Sequence, residues 1–139
     1  MSYWLLKTEP GEYSYDDLSR DRRVRWDGVS NALALIHMRA ARPHDEALIY
    51  HTGIEKRIVG LVEIVTDPYP APGADEPRQV VFDVKPKRRL PKPIPLAAIK
   101  ADPDFNAFAL VRNSRLSVMP VEPVLWDRLL AMGGLESAH

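Results

Sequence analysis

The sequence predicts an α+β domain, with about five strands in a strongly curved sheet or small barrel and short helices packed outside it. Three observations predict it. Short runs of β-branched and aromatic residues end at Pro or Gly, as strands do. Helix caps and proline starts fall between those runs. With 139 residues, 45% of them hydrophobic, the chain (1–139) has the length and core material of one domain.

Taken in order, Tyr3–Thr8 reads as a strand that stops at the turn Glu9-Pro10-Gly11. Ser14 with Asp17 is a capping box for a short helix through Arg20. Asn31 caps a helix over residues 32–41, which stops before Pro43 because the residue preceding a proline avoids the α region. Ala47–Thr52 is a strand ending at Gly53, and Ile58–Val65 another ending at Asp67-Pro68. Gly60, inside the latter, marks a bulge or a close backbone approach. Pro68, Pro70, Pro72, Gly73 and Pro77 make residues 67–77 a long exposed loop. Gln79–Val84 is a strand ending at Pro86, and Pro95 opens a short helix over Leu96–Ala101. Leu116–Met119 is the last strand. A final helix starts at Pro123, repeats Leu125/Leu129 and Trp126/Leu130 at i, i+4, and ends at Gly133-Gly134.

Composition removes several classes. No apolar run approaches the ~18–20 residues of a membrane span, and no signal peptide is visible. With no cysteine there is no disulfide framework or thiolate nucleophile, and a reducing, cytoplasmic compartment is expected. His37, His44 and His51 match no metal-ligand spacing and His139 is terminal, so no metal or other cofactor is expected. Nucleotide-binding and nucleophile-elbow motifs are absent, and the expectation is a protein that is not an enzyme. The 19 Lys+Arg balance the 19 Asp+Glu, which argues against coating long nucleic acid but leaves room for a local basic groove.

Three constellations carry chemistry. Lys7-Thr8-Glu9 places a donor, a hydroxyl and a carboxylate at one strand mouth, a mixture suited to the edge of a polar heterocycle; it also fits a solvated strand end. Arg25-Trp26-Asp27-Gly28-Val29-Ser30-Asn31 sets an indole beside a carboxylate and a helix cap, where a flat ligand could stack; it also fits a core tryptophan before a turn. Residues 20–25 hold four arginines against one aspartate, and residues 85–92 hold five cations and no acid. Such runs suit phosphates or are simply solvated faces. Arg112 and Arg115 add two more cations before the last strand.

Together, Tyr3–Pro10, Tyr13-Ser14 with Asp16-Asp17-Leu18, and Trp26-Asp27-Gly28-Val29 with Asn31 resemble the EVE domain. Ile49-Tyr50-His51, Ile58-Val59-Gly60 and Leu116–Val121 follow in the family's order, from residue 2 to about residue 132. The resemblance implies a PUA-like curved sheet closed into a small β-barrel of about five strands with flanking helices, and a non-enzymatic reader of a modified nucleobase. Modified cytosine in DNA is the first expectation and RNA the second. The base pocket it implies is made by Lys7, Thr8 and Glu9 on one wall and Trp26, Asp27, Gly28 and Val29 on the other. Asn31 would lie at the helix start, and His51 and Ser117 at the mouth or floor. Phosphates would meet Arg20, Arg22, Arg23, Lys85, Lys87, Arg88 or Arg89. The expected partner is nucleic acid carrying a modified base, bound by a monomer with no membrane contact. The chain departs from the family in Thr8 for the usual serine, Ser30 for an arginine, Met119 for a glutamine, and a more apolar helix after Asn31. Two other functions fit the same residues. One is a nucleoside sensor or enzyme using that pocket, and the other an interaction module whose Lys85–Lys92 run binds an acidic partner.

Overall fold

The computed structural model describes residues 1–135, so His139 lies outside the described residues. Trp4, Leu5 and Leu6 are buried in β1 (Tyr3–Thr8), which makes it an interior strand. It pairs in parallel with β3 (Glu46–His51) and antiparallel with β7 (Val118–Pro120). The full path is β2-β6-β4-β3-β1-β7, with β2 at Val24–Trp26, β4 at Arg57–Ile64 and β6 at Val80–Pro95. A short β5 (Tyr69–Pro70) extends the pairing along β6.

Register shifts curl this sheet. They fall between Ile49 and Tyr50 on β3, and on β4 at Ile58/Gly60 and Leu61/Val62. Bulges of this kind increase local bend and twist. Gly60 is both a bulge and a close approach: a Cβ there would overlap the ring of Tyr15. The Tyr15 hydroxyl donates to the Leu61 carbonyl at 2.8 Å, beside the second shift.

Seven strands form the sheet and it does not close, which corrects the expected five-stranded barrel. Its end strands, β2 and β7, have three residues each and do not pair with each other. The result is a curled half-barrel with an open seam.

The expected stop at Pro86 is also corrected, because β6 runs on for sixteen residues through Pro86, Pro91 and Pro93. Beyond Val84 it has lost β2 and pairs only with β4, so it has become an edge strand, where prolines are tolerated. Residues 67–77 are likewise not wholly loop, since β5 pairs with Val80 and Val81.

The helices follow their caps. Ser14 and Asp17 form a reciprocal capping box on α1 (Tyr15–Asp21), and Asn31 Oδ1 accepts from the Ala34 amide at the head of α2 (Ala32–Ala40). The structure adds α4 (Ala109–Arg112) and a 3-10 turn at Pro103–Phe105 after α3 (Leu96–Lys100), then closes with α5 (Pro123–Met132). Trp126 of α5 stacks on Tyr3 with ring centroids 4.5 Å apart, covering the outer face of β1.

Candidate functional site

The turn after β1 starts the site. The Tyr13 amide donates to the Glu9 carbonyl at 2.8 Å, folding the chain back so that the Thr8 hydroxyl donates to the Tyr13 carbonyl at 2.7 Å. Lys7 stays on the β1–β7 side of the seam, where its Nζ donates to the Ser114 carbonyl at 3.0 Å and lies 5.8 Å from the Tyr50 ring centroid. Half-burial holds the Lys7 ammonium pKa below its ordinary value, because desolvation disfavours the charged form.

On the facing side, β2 ends at Trp26, and Gly28 with φ +76° turns the chain toward α2. That left-handed conformation strains any residue with a Cβ, and it leaves Asp27 and Val29 on the seam.

These two sides enclose a cavity of about 300 Å³. Lys7, Thr8 and Ser117 line one wall; Trp26, Asp27, Gly28 and Val29 line the other. The expectation also put Glu9, Asn31 and His51 there, but none of the three lines it. Glu9 turns away, accepting from the Gly11 amide at 3.1 Å and the Thr52 hydroxyl at 3.2 Å. Asn31 is occupied as the α2 cap. His51 is buried, its Nε2 accepting from the Tyr15 amide at 3.0 Å and its Nδ1 2.9 Å from Glu55. A backbone amide can only donate, so Nδ1 carries the proton and gives it to the Glu55 carboxylate. That bond is the main cause holding the Glu55 carboxyl below its ordinary pKa.

Three lining residues were not among the expected pocket residues: Tyr13, Val24 and Arg25. Arg25 headed the tryptophan segment and stood in the arginine run, and Tyr13 was one of the residues that carry the family resemblance, but nothing in the sequence placed either against a ligand. The Tyr13 hydroxyl donates to Asp21 at 2.8 Å; burial first, and that carboxylate second, raise its phenol pKa.

Most expected phosphate contacts already have acid partners. Arg20 pairs with Asp17 and Asp21, Arg23 with Asp83 at 3.1 Å, Lys85 with Glu63 at 3.8 Å and Lys87 with Glu46 at 2.8 Å. Arg89 pairs with Asp16 and sits over the Tyr15 ring. Within the two basic runs and the stretch before β7, Arg22, Arg25, Arg88, Lys92, Arg112 and Arg115 have no carboxylate partner among the described residues.

The cavity therefore offers cationic donors (Lys7, Arg25), an anionic acceptor (Asp27), hydroxyls (Thr8, Ser117) and an apolar face (Val24, Trp26, Val29). That set suits a flat, polar-edged ring. Among the described residues no three His, Asp or Glu side chains are grouped as metal ligands.

Comparison with known proteins adds a family. The EVE domain profile matches residues 2–132. Thymocyte nuclear protein 1 of Mus musculus is 28% identical over 165 aligned residues, covering 94% of this chain and 73% of that protein. A Rhodopseudomonas palustris protein solved by NMR is 40% identical, with a TM-score of 0.92 over 100% of this chain and 97% of its own. Human THYN1 protein, solved in complex with 5-methylcytosine-containing DNA, is 28% identical with a TM-score of 0.87, covering 98% of this chain and 99% of its own.

Proposed function

This chain belongs to the EVE domain family, and we propose that it is a non-enzymatic reader that takes an extruded, modified cytosine of DNA into the seam cavity. One observation carries the reading. Lys7 and Thr8 of β1 meet Trp26 of β2 and Asp27 and Gly28 of the turn after it at one cavity, in a fold shared with a human protein solved on 5-methylcytosine-containing DNA.

The energetics are consistent. Extruding a base costs a few kcal/mol and stacking on an aromatic side chain returns about 1–3 kcal/mol. Trp26 supplies the ring, and Asp27 is the acceptor for the exocyclic amine that cytosine presents. The Thr8 proton is committed to Tyr13, so Thr8 faces a ligand as an acceptor, and Lys7 is the donor for a ring carbonyl. Val24 and Val29 offer apolar surface to a 5-methyl group. Phosphates fall first to the rim cations that have no acid partner, Arg22 and Arg25. Lys85, Lys87 and Arg89 must first give up an ion pair.

Duplexes with one 5-methylcytosine or none test this by titration at low salt. Burying one methyl is worth about 0.8 kcal/mol, so the methylated duplex should bind about fourfold more tightly. Asp27→Ala should weaken binding to both by about tenfold or more, the loss of a buried edge contact. Equal affinity for the two duplexes, unchanged by Asp27→Ala, would overturn the reading.

A further inference from the structure

A second cavity of about 530 Å³ lies on the other side of the Arg25–Val29 segment. We propose that it receives the nucleotide next to the recognised base on the same strand, with the Arg25 guanidinium on the phosphate between them. This rests on the base-reading function proposed above and adds a subsite to it.

The two cavities share one wall. Arg25, Asp27, Gly28 and Val29 line both, so the partition is a single chain, about 5 Å thick. A ligand that fills the first cavity and continues as a strand meets the second at its next unit.

The far wall is built rather than loose. Residues 71–79 are held by Ala71 N to Gln79 O at 2.9 Å, Ala74 N to Ala71 O at 3.1 Å and Gln79 N to Glu76 O at 3.1 Å. Gly28 and Gly73 stand on opposite sides, both at positive φ. Neither has a heavy atom within 4 Å of where a Cβ would sit. Both walls thus leave room for something to approach the backbone closely. Ser30 and Gln79 add polar groups, and Pro72 and Val81 add apolar surface, as a nucleoside requires.

The charge is placed for a phosphate. Arg25 is the one cation lining this cavity, and it also reaches the first. The acid that could have paired with it, Asp83, is already taken. Asp83 accepts from the Tyr69 hydroxyl at 2.6 Å and from Arg23 at 3.1 Å. The hydrogen bond to Asp83 is the main cause raising the Tyr69 phenol pKa, and Arg25, beside the same hydroxyl, offsets part of that rise. The guanidinium is left exposed at the mouth of both cavities without a carboxylate. Asp27, the one acid of this lining, remains available to the base edge in the first cavity.

Two variants fill the second cavity from opposite walls at positions that do not themselves line the first: Ala74→Trp and Ser30→Trp. Each is titrated with 5-methyl-2′-deoxycytidine, observed by NMR, and with an oligonucleotide carrying one 5-methylcytosine. The expected result is unchanged nucleoside binding and about tenfold weaker oligonucleotide binding, from lost sugar and phosphate contacts. Either folded variant binding the oligonucleotide as the parent does would overturn the subsite. Parallel loss of nucleoside and oligonucleotide in both variants would also overturn it, since the effect would then run through the first cavity. A parent that binds the nucleoside as tightly as the oligonucleotide removes the subsite while the base reader stands. A parent that binds neither removes both.

Discussion

Thr8 and His51 show how single residues divide between scaffold and site. Both were expected at the pocket, and only Thr8 lines the cavity. His51 is instead a connector: its Nε2 accepts from the first amide of α1 and its Nδ1–H donates a hydrogen bond to Glu55. His51→Ala should therefore cost about 1–3 kcal/mol of stability, the penalty for a buried amide left without an acceptor, read as a lower urea midpoint. Affinity of the folded fraction for a methylated duplex should not change. The reverse pattern, intact stability with lost binding, would place His51 against the ligand. The sequence could not separate these roles. Lys7, Trp26 and Asp27 are legible as site residues because chain direction at a strand end and a Gly turn already aims them. Glu9 and His51 are not, because partners 43 and 36 residues away decide where they point. Arg25 was hidden for a related reason. What distinguishes it from Arg23 is that Asp83, on another strand, pairs with one and not the other.

At the scale of elements, local signals located the helices and distant pairings decided the strands. Ser14 with Asp17, Asn31 and Pro123 each act within their own turn, so α1, α2 and α5 are readable from the chain alone. Strand β2 is not, since Val24–Trp26 becomes a strand only by pairing with Phe82–Val84. Nor is the length of β6, where each proline is tolerated because of what lies beside it. Gly60 joins the two kinds of signal. Its presence in a strand announced a bulge or a contact, and the fold uses it for both, with Tyr15 of α1 packed into the curl that β4 makes there. Because that ring is fully buried, a methyl has no room to be absorbed. Gly60→Ala should destabilise by about 1–3 kcal/mol, the range for overpacking. The effect should also reach the ligand, because α1 precedes β2 and a displaced α1 moves the Trp26 wall. Circular dichroism melts and duplex titration would register the two losses together. A variant as stable as the parent would mean the sheet can flatten at β4 without cost.

For the whole molecule, the decisive quantity is how few cations without an acid partner lie at the seam. The 19 positive and 19 negative side chains cancel overall, and within the two basic runs ion pairs make part of that cancellation local. In the 85–92 run, Lys85, Lys87 and Arg89 each face an acid from β4, β3 or α1. The cations without acid partners near the seam lie on its two sides: Arg22 and Arg25 around β2, and Arg115 in the turn that leads to Ser117. With Lys7 given to the base, they make a set of two or three phosphate contacts. Each phosphate neutralised contributes about −0.9 to the slope of log affinity against log salt, so the slope for a methylated duplex should lie between about −2 and −3. Arg25→Ala should make it shallower by about one, whereas Lys87→Ala, whose charge is already met by Glu46, should leave it unchanged. Titrations at four salt concentrations would measure this. A slope near −6, or an equal change from both variants, would mean that the 85–92 run releases its acids to the ligand and that the interface extends well beyond the seam. A shallow slope carried by Arg25 fits a protein that holds one extruded base in an open half-barrel. The open seam gives that base a way in, and acids of the fold already hold Lys85, Lys87 and Arg89.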